Sequence, residues 1–510
     1  MANSLKRYQK IVLIILIPLV GIIITVGALF GISYGYLNRK NIRLDFNENE
    51  TYQTFKYFGA SSCWNGRLLG EEESDDIKNE FISLAYSDEG LSLDVFRYNL
   101  GAGSYELDNT GYSDGAKTKS FFITENYVDN SSFENIANYD ISRDGGYLDI
   151  LKLAILTGNV KKVVIFSNSP HYLLTKNHLT HGSSPHENNL LEKNYQAFSH
   201  YVLICSTLID SYIKSLGYLN IEIYISPVNE PQWKWDGVSS SQEGCHFDAE
   251  PLAKFYDVFY KSLKEYNKKN NTSFNMDIYE SGNYKLGLAS SKNKNYFKAF
   301  SKYEYFDEIQ EISMHSYSAD DNKQIKRSFY NYFKKFDKDF VMSEYCIMQY
   351  GVDTSIDMGL RSAKVLMQDL NILNATEWHW WLAVAFGGFE DGLFYFNRET
   401  KEYYFTYRYY MLAQFMKYID TGDVRIRANV HDLYDLGGVD SVGFKKEDGT
   451  IVVIIINDNN SQKNITIPTD DYTSMKIVET YENNYLKETE KEFSKTISIK
   501  PNSVTTIIMK

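Results

Sequence analysis

The sequence predicts an α/β fold: a (β/α)8 TIM barrel with a C-terminal β-sandwich domain, preceded by an N-terminal transmembrane helix. Three patterns carry that prediction. An uncharged apolar stretch lies near the start, eight apolar runs that turn polar at their C-terminal ends alternate with helical stretches, and short β patterns without helical periodicity fill the chain from residue 421 on.

From Ile11 to Asn38 there is no charged residue, and "IVLIILIPLVGIIITVGALFGI" is long enough to cross a bilayer. Residues 1–38 are therefore expected to form a cytoplasmic tail and an anchor, with the body extracytoplasmic and the membrane as a partner. Val26-Gly27-Ala28 offers a cleavage site for the alternative, a secreted protein released from a signal peptide. Flanking charge does not choose an orientation, because Lys6, Arg7 and Lys10 are matched by Arg39, Lys40 and Arg43.

Residues 50–420 are expected to form the barrel. Its strands read as "YFGASSCW" (57–64), "LDVFRYNLGAG" (93–103), "VKKVVIFSNSP" (160–170), "IEIYISPVNEP" (221–231), "FNMDIYESG" (274–282), "EISMHSYS" (311–318), "FVMSEYC" (340–346) and "ATEWHWW" (375–381). Between several of them, apolar residues recur at three- and four-residue spacing, as in "AFSHYVLICSTLIDSYIKSLG". Most runs are apolar first and end in Asn, Ser, His, Glu, Arg or Trp. A barrel places its active site at that end of its strands. Residues 421–510 read as a sandwich, with Asp448-Gly449 as a hairpin turn, and the strand-like 41–55 segment is expected to complete it.

With 510 residues, 43% of them hydrophobic, the chain can bury a large core, and its net charge of −13 excludes nucleic acid as the main partner. A neutral ligand fits that field better. The four cysteines show no metal spacing, and His171, His178, His181 and His186 match no standard ligand pattern, so no cofactor and no metal is expected.

Two carboxylates stand out. Glu230 ends the fourth predicted strand and Glu344 the seventh, which puts them across the barrel mouth from each other. Two carboxyls about 5 to 5.5 Å apart suit retaining glycoside hydrolysis, in which one attacks and the other gives a proton. Their environments must then differ: Trp233 and Trp235 are candidates for an apolar wall beside Glu230, and His315 or Tyr317 for a donor to Glu344. Trp64, Trp233, Trp235 and Trp381 are candidate stacking platforms for sugar rings, with core packing as the plainer alternative.

In order, "YFGASSCW", "RYNLGAGS", "FSNSPHYLLT", "ISPVNEPQWKW" with "SSSQEGCHF", "MHSYS", "VMSEYC", "TEWHWWLA" and "YRYYMLAQFMKYIDTGDVRI" resemble glycoside hydrolase family 30. Within it, the stretch around Glu230 is most similar to endo-β-1,6-galactanases. The resemblance implies a barrel with a β-sandwich side domain, a retaining mechanism, Glu230 as acid/base and Glu344 as nucleophile. It also implies that Asn229 hydrogen-bonds the sugar 2-hydroxyl and that Arg97 braces the site.

The expected function is retaining endo-hydrolysis of a β-1,6-galactan-type polysaccharide. Alternatives within the family are β-1,6-glucan, xylan and glucosylceramide. Leu173 and Leu382 stand where the family usually has Trp and Gln, which bears on the sugar recognised. Transfer of the glycosyl group to a sugar is a further alternative, and from another class comes a non-catalytic surface carbohydrate-binding protein.

Overall fold

The computed structural model describes residues 40–108, 110–237, 240–287, 295–430 and 437–510. It opens on a long strand, β1 (Asn41–Thr54). A parallel sheet follows, built from β2 (Tyr57–Ser61), β3 (Val95–Leu100), β4 (Lys162–Ser167), β5 (Glu222–Ser226), β6 (Asn275–Met276), β7 (Tyr279–Ser281), β8 (Glu311–His315), β9 (Asp339–Glu344) and β10 (Ala375–Ala385). Helices such as Tyr195–Ser215 and Ala249–Asn270 connect the strands and turn their apolar stripes onto the sheet.

Two parts of the expected architecture are corrected. The hydrogen-bonded order is β6-β5-β4-β3-β2-β10-β9-β8-β7, a curled sheet of eight strand positions in which one position is shared by two pieces, β6 on β5 and β7 on β8, with no ladder pairing between those pieces. The expected 274–282 strand is split because Asp277 and Ile278 leave the ladder. The Asp277 amide still donates to the Ile225 carbonyl at 2.9 Å, and the Ile278 carbonyl accepts from Ser313 at 2.7 Å. Asp277 is buried at the break, which pushes its carboxyl well above the usual range.

The second correction concerns the membrane. Among the described residues no helix is long and apolar enough to cross one, and the 1–38 segment on which that expectation rests lies outside them. The transmembrane helix is therefore not carried further, nor is the membrane as a partner or an anchored location.

Beyond β10 the chain adds a small hairpin, β11 (Gly392–Asn397) and β12 (Glu402–Tyr404), to the curled sheet. The remaining strands are β13 (Val424–Val430), β14 (Val439–Lys445), β15 (Ile451–Asn457), β16 (Lys463–Thr466), β17 (Ser474–Tyr481), β18 (Asn484–Glu492), β19 (Thr496–Ile499) and β20 (Ser503–Met509). With β1 they form a second sheet of order β18-β17-β20-β15-β14-β13-β1-β16-β19. β1 pairs antiparallel with β13 and parallel with β16, so the segment before the curled sheet is woven into the module after it. The turn between β14 and β15 needs the left-handed backbone of Gly449, at φ 89°, which a side chain would strain.

Strand β15, "IVVIIIN", shows how the two modules join. Its side chains alternate between faces: Val452, Ile454 and Ile456 join the core of the curled sheet, and Ile451, Val453 and Ile455 join Ile42, Leu44 and Ile465 in a separate core. Both faces are apolar because both are covered.

Candidate active site

Glu230 lies four residues past β5, in the loop that leaves the C-terminal end of that strand. Its backbone is left-handed, at φ 45°, a conformation a non-glycine residue keeps only when its surroundings impose it. Here the Glu230 amide donates to the Glu280 carbonyl at 2.9 Å, and its own carbonyl accepts from Trp235 Nε1 at 2.7 Å and from the Trp233 amide at 3.2 Å. The Asn-Glu-Pro turn is thereby tied to β7 on one side and to an indole on the other. Asn229, beside it, donates from its amide to the Ser167 carbonyl at 3.1 Å and from Nδ2 to Asn168 Oδ1 at 2.9 Å, leaving its own Oδ1 buried without a partner.

Glu344 is the last residue of β9. Arg97 Nη1 donates to Glu344 Oε2 at 2.8 Å and the Tyr317 hydroxyl donates to Oε1 at 2.9 Å. Arg97 is fully buried on β3, with its guanidinium 4.4 Å from the Phe166 ring centroid. A third carboxylate, Glu280 of β7, completes the cluster: its Oε1 is 3.4 Å from Arg97 Nη2, and its Oε2 accepts from the Ser343 hydroxyl. His315 ends β8 among all three acids. Its Nδ1 is 3.1 Å from Glu230 and 3.5 Å from Glu344, and its Nε2 is 2.8 Å from Glu280.

The charges sort themselves accordingly. Burial would lower the His315 pKa, but Glu344, Glu230 and Glu280 together hold it up to about 10, so the ring is an imidazolium at neutral pH. Burial works the other way on Glu280, yet Arg97, His315 and Ser343 hold its carboxyl down to about 2. Glu230 is pushed up by burial, with the Glu344 charge adding to it, against the pull of His315. The two cations thus hold Glu280 ionised, while Glu230 is the acid of the cluster pushed toward its protonated form. Oxygens of Glu230 and Glu344 and a nitrogen of His315 lie within 4.8 Å of one another, a spacing a metal could use. Both His315 nitrogens already face carboxylates, however, and metal binding would have to displace a firmly held proton, so the donor set reads as an ion-pair cluster.

The cluster forms the floor of a cavity of about 560 Å³. Trp64, Trp233 and Trp381 give it aromatic walls, and Ser241, Gln242, Ser318 and Asp391 give it polar ones.

Residues 39–395 match O-glycosyl hydrolase family 30, and residues 422–507 match the β-sandwich domain of the same family. The chain belongs to glycoside hydrolase family 30. An endo-β-1,6-galactanase of Hypocrea rufa is 24% identical over 410 residues, covering 75% of this chain and 76% of the relative. Among solved structures, a conserved exported protein from Bacteroides fragilis superposes with a TM-score of 0.78 at 21% identity, over 92% of this chain and all of the other. The catalytic domain of xylanase C from Talaromyces cellulolyticus gives a TM-score of 0.68 at 17% identity, with coverage of 92% and 100%. These two likenesses are of fold.

In this family 30 chain, nine of the ten residues singled out in the sequence sit in or directly beneath the cavity. Glu230, Glu344, Asn229, Tyr317, Trp64, Trp233 and Trp381 line it, and Arg97 and His315 lie under the carboxylates. Trp64 and Trp381 meet edge to face with centroids 5.4 Å apart, and Trp233 is 40% exposed. Trp235 is placed elsewhere: its ring packs on Gly244 and its Nε1 holds the Glu230 carbonyl, so it supports the loop and does not line the cavity. Nor do Leu173 and Leu382, which pack into the core.

The sequence reading missed Glu280 and Asp391. Glu280 had a signal, since "IYES" turns from apolar to acidic at a strand end just as the Glu230 and Glu344 segments do. It also missed Glu243, whose buried carboxylate accepts from the Ala102 and Ser104 amides and the Thr118 hydroxyl, pinning the "GAGS" turn to the loop after Glu230.

Gly282 sets the room available to the acid. A Cβ there would lie 2.6 Å from Glu230 Oε1 and 3.1 Å from Gln232 Nε2. Gly282→Ala is expected to displace the Glu230 carboxyl and lower kcat by about 10- to 100-fold, with little change in melting temperature. Parallel kinetics and thermal melts check it; an unchanged kcat would mean the carboxyl has slack.

Proposed function

We propose that this glycoside hydrolase cleaves an uncharged, β-linked polysaccharide by double displacement with retention of configuration. Glu344 attacks the anomeric carbon while Glu230 protonates the departing oxygen. Glu230 then deprotonates the water that releases the glycosyl-enzyme. The observation that carries this reading is that an oxygen of Glu230 and an oxygen of Glu344 lie within 4.8 Å of each other. Inverting enzymes hold theirs roughly 6.5 to 9.5 Å apart to admit a water between them. The unequal environments add to it, because Glu344 takes hydrogen bonds from Arg97 and Tyr317 whereas Glu230 is pushed toward its protonated form.

Among the described residues lining the cavity there is no lysine or arginine, so a uronate side group would face carboxylates without a counter-charge. A neutral backbone is favoured for that reason. The galactan expectation widens here to β-linked polysaccharide as a class. β-1,6-glucan and xylan stand with β-1,6-galactan, since the aromatic walls offer ring-stacking surfaces common to all three.

The test is to incubate the full chain with β-1,6-galactan, β-1,6-glucan, xylan and glucosylceramide, and to read the first-formed anomer by proton NMR. Release of the β-anomer first is the expected result. The α-anomer first would end the double-displacement reading. Silence on every substrate, with binding on a glycan array, would point to the non-catalytic carbohydrate-binding alternative.

A further inference from the structure

We propose that Asp391 is a specificity-determining residue, binding a pair of ring hydroxyls on the uncharged sugar held in the cavity; the inference rests on the hydrolase reading above. Asp391 follows β10 in the chain and lines the same cavity as Glu230 and Glu344. Its Oδ1 is buried and has no hydrogen-bond partner. An orphaned buried acceptor is costly, so it is a feature to be explained by what fills the site.

The backbone that presents this side chain is clamped on both sides. Trp380 Nε1 donates to the Asp391 carbonyl at 2.6 Å, Arg408 Nη1 donates to the Gly392 carbonyl at 2.6 Å, and Arg408 also pairs with Glu390. The Arg408 guanidinium lies 5.2 Å from the Trp380 ring centroid, which ties the two clamps together. The backbone that carries the carboxylate is thus fixed at the cavity wall.

The partner must therefore come with the ligand. No lysine or arginine is present among the described lining residues, and the ligand must bring hydrogen-bond donors without negative charge. Sugar hydroxyls meet both conditions, and two on adjacent carbons match the two oxygens of a carboxylate. Burial pushes the Asp391 carboxyl up to about 7, against the pull of its own and the Gly392 amide, so neither protonation form is strongly disfavoured near neutrality. The neighbouring Cys346 thiol is pushed up by burial first and then by the Asp391 charge, and its Sγ lies 3.7 Å from the Tyr317 hydroxyl that serves Glu344. Asp391, Cys346, Tyr317 and Glu344 all line the one cavity.

Asp391→Asn, which keeps the shape, and Asp391→Ala test the inference. Each is compared with the wild type on the polysaccharide that the wild type hydrolyses, and on oligosaccharides of that sugar carrying single deoxy positions. The wild type is expected to discriminate against one or two deoxy positions by about 10- to 100-fold in kcat/KM. Asp391→Ala should lose kcat/KM by a similar factor, mainly through KM, and treat those deoxy substrates like the parent. A merely structural role would slow all substrates alike and leave the discrimination intact, and that result overturns the proposal. So does an Asp391→Asn enzyme that melts as the wild type does and keeps both its kcat/KM and its deoxy discrimination. Wild-type hydrolysis with unaltered variants overturns this inference alone, whereas wild-type silence on every substrate removes the hydrolase reading beneath it.

Discussion

Glu344→Gln is expected to lower kcat by about 10⁵-fold on every substrate, and Glu230→Gln by a smaller, substrate-dependent factor of about 10² to 10⁴. The asymmetry follows from the roles. Without the Glu344 carboxylate no glycosyl-enzyme forms, whatever the leaving group. Without Glu230, a leaving group that departs unprotonated, such as a dinitrophenolate, restores the first step and leaves only deglycosylation slow. The loss in Glu230→Gln should therefore shrink in the burst phase with an activated aryl glycoside, and the loss in Glu344→Gln should not. A pH profile adds a second readout. Burial first, and Glu344 next, raise the Glu230 pKa above that of an ordinary glutamate, so the protonated acid persists to higher pH and kcat falls as pH rises through the raised value. That basic limb should vanish in Glu230→Gln. If both variants lost activity equally on activated and unactivated substrates, the division of labour would be wrong.

The neighbourhood of these carboxylates was only partly legible in the sequence. Strand ends that change from apolar to polar identified Glu230, Glu344, His315 and Tyr317, because one-sided burial leaves a period and a boundary in the residues themselves, whereas Arg97 came only from the family resemblance. What the sequence could not supply was which polar groups converge. Glu280 lies on a strand broken by the buried Asp277, and its contact with His315 joins residues 35 apart in the chain. Trp235 shows the reverse failure. An indole next to an acid reads equally well as a wall or as a prop, and the Trp235 Nε1 bond to the Glu230 carbonyl decides for the prop. The β11–β12 hairpin went unread because "GLFYFNRETKEYY" follows β10 closely, with no helix between to mark a new strand. Asp391, at the start of that hairpin, went unread with it.

The largest stability effect is expected at the opposite end of the curled sheet. Lys162 begins β4, and its ammonium lies 2.6 Å from Glu311 Oε1 and 3.0 Å from Glu377 Oε1, over the Tyr224 ring at 3.6 Å. Lys56 reaches Glu311 from the edge at 3.4 Å, and His379 Nε2 is 3.2 Å from Glu377. Lys162, Glu311, Glu377 and His379 are all buried. Burial opposes the charge on Glu377, yet Lys162 and then His379 hold its carboxyl down to about 2, so the fold depends on a cation being present. Lys162→Met fills nearly the same space but leaves two buried carboxylates facing each other, with only the edge ammonium of Lys56 and the His379 ring to offset them. That change is expected to cost about 3–5 kcal/mol and to lower the melting temperature by roughly 3 to 6 °C, a small shift because so long a chain has a large unfolding entropy. Adding Glu311→Gln and Glu377→Gln to Lys162→Met should recover most of the loss, because the damage comes from unpaired charge and not from lost packing. Since the cluster sits at the N-terminal ends of the strands, molecules that remain folded should keep their wild-type kcat. A single variant melting within a degree of the wild type would show that water or proton uptake already compensates the two acids. A triple variant no better than the single one would show that Lys162 acts through its packing against Tyr224.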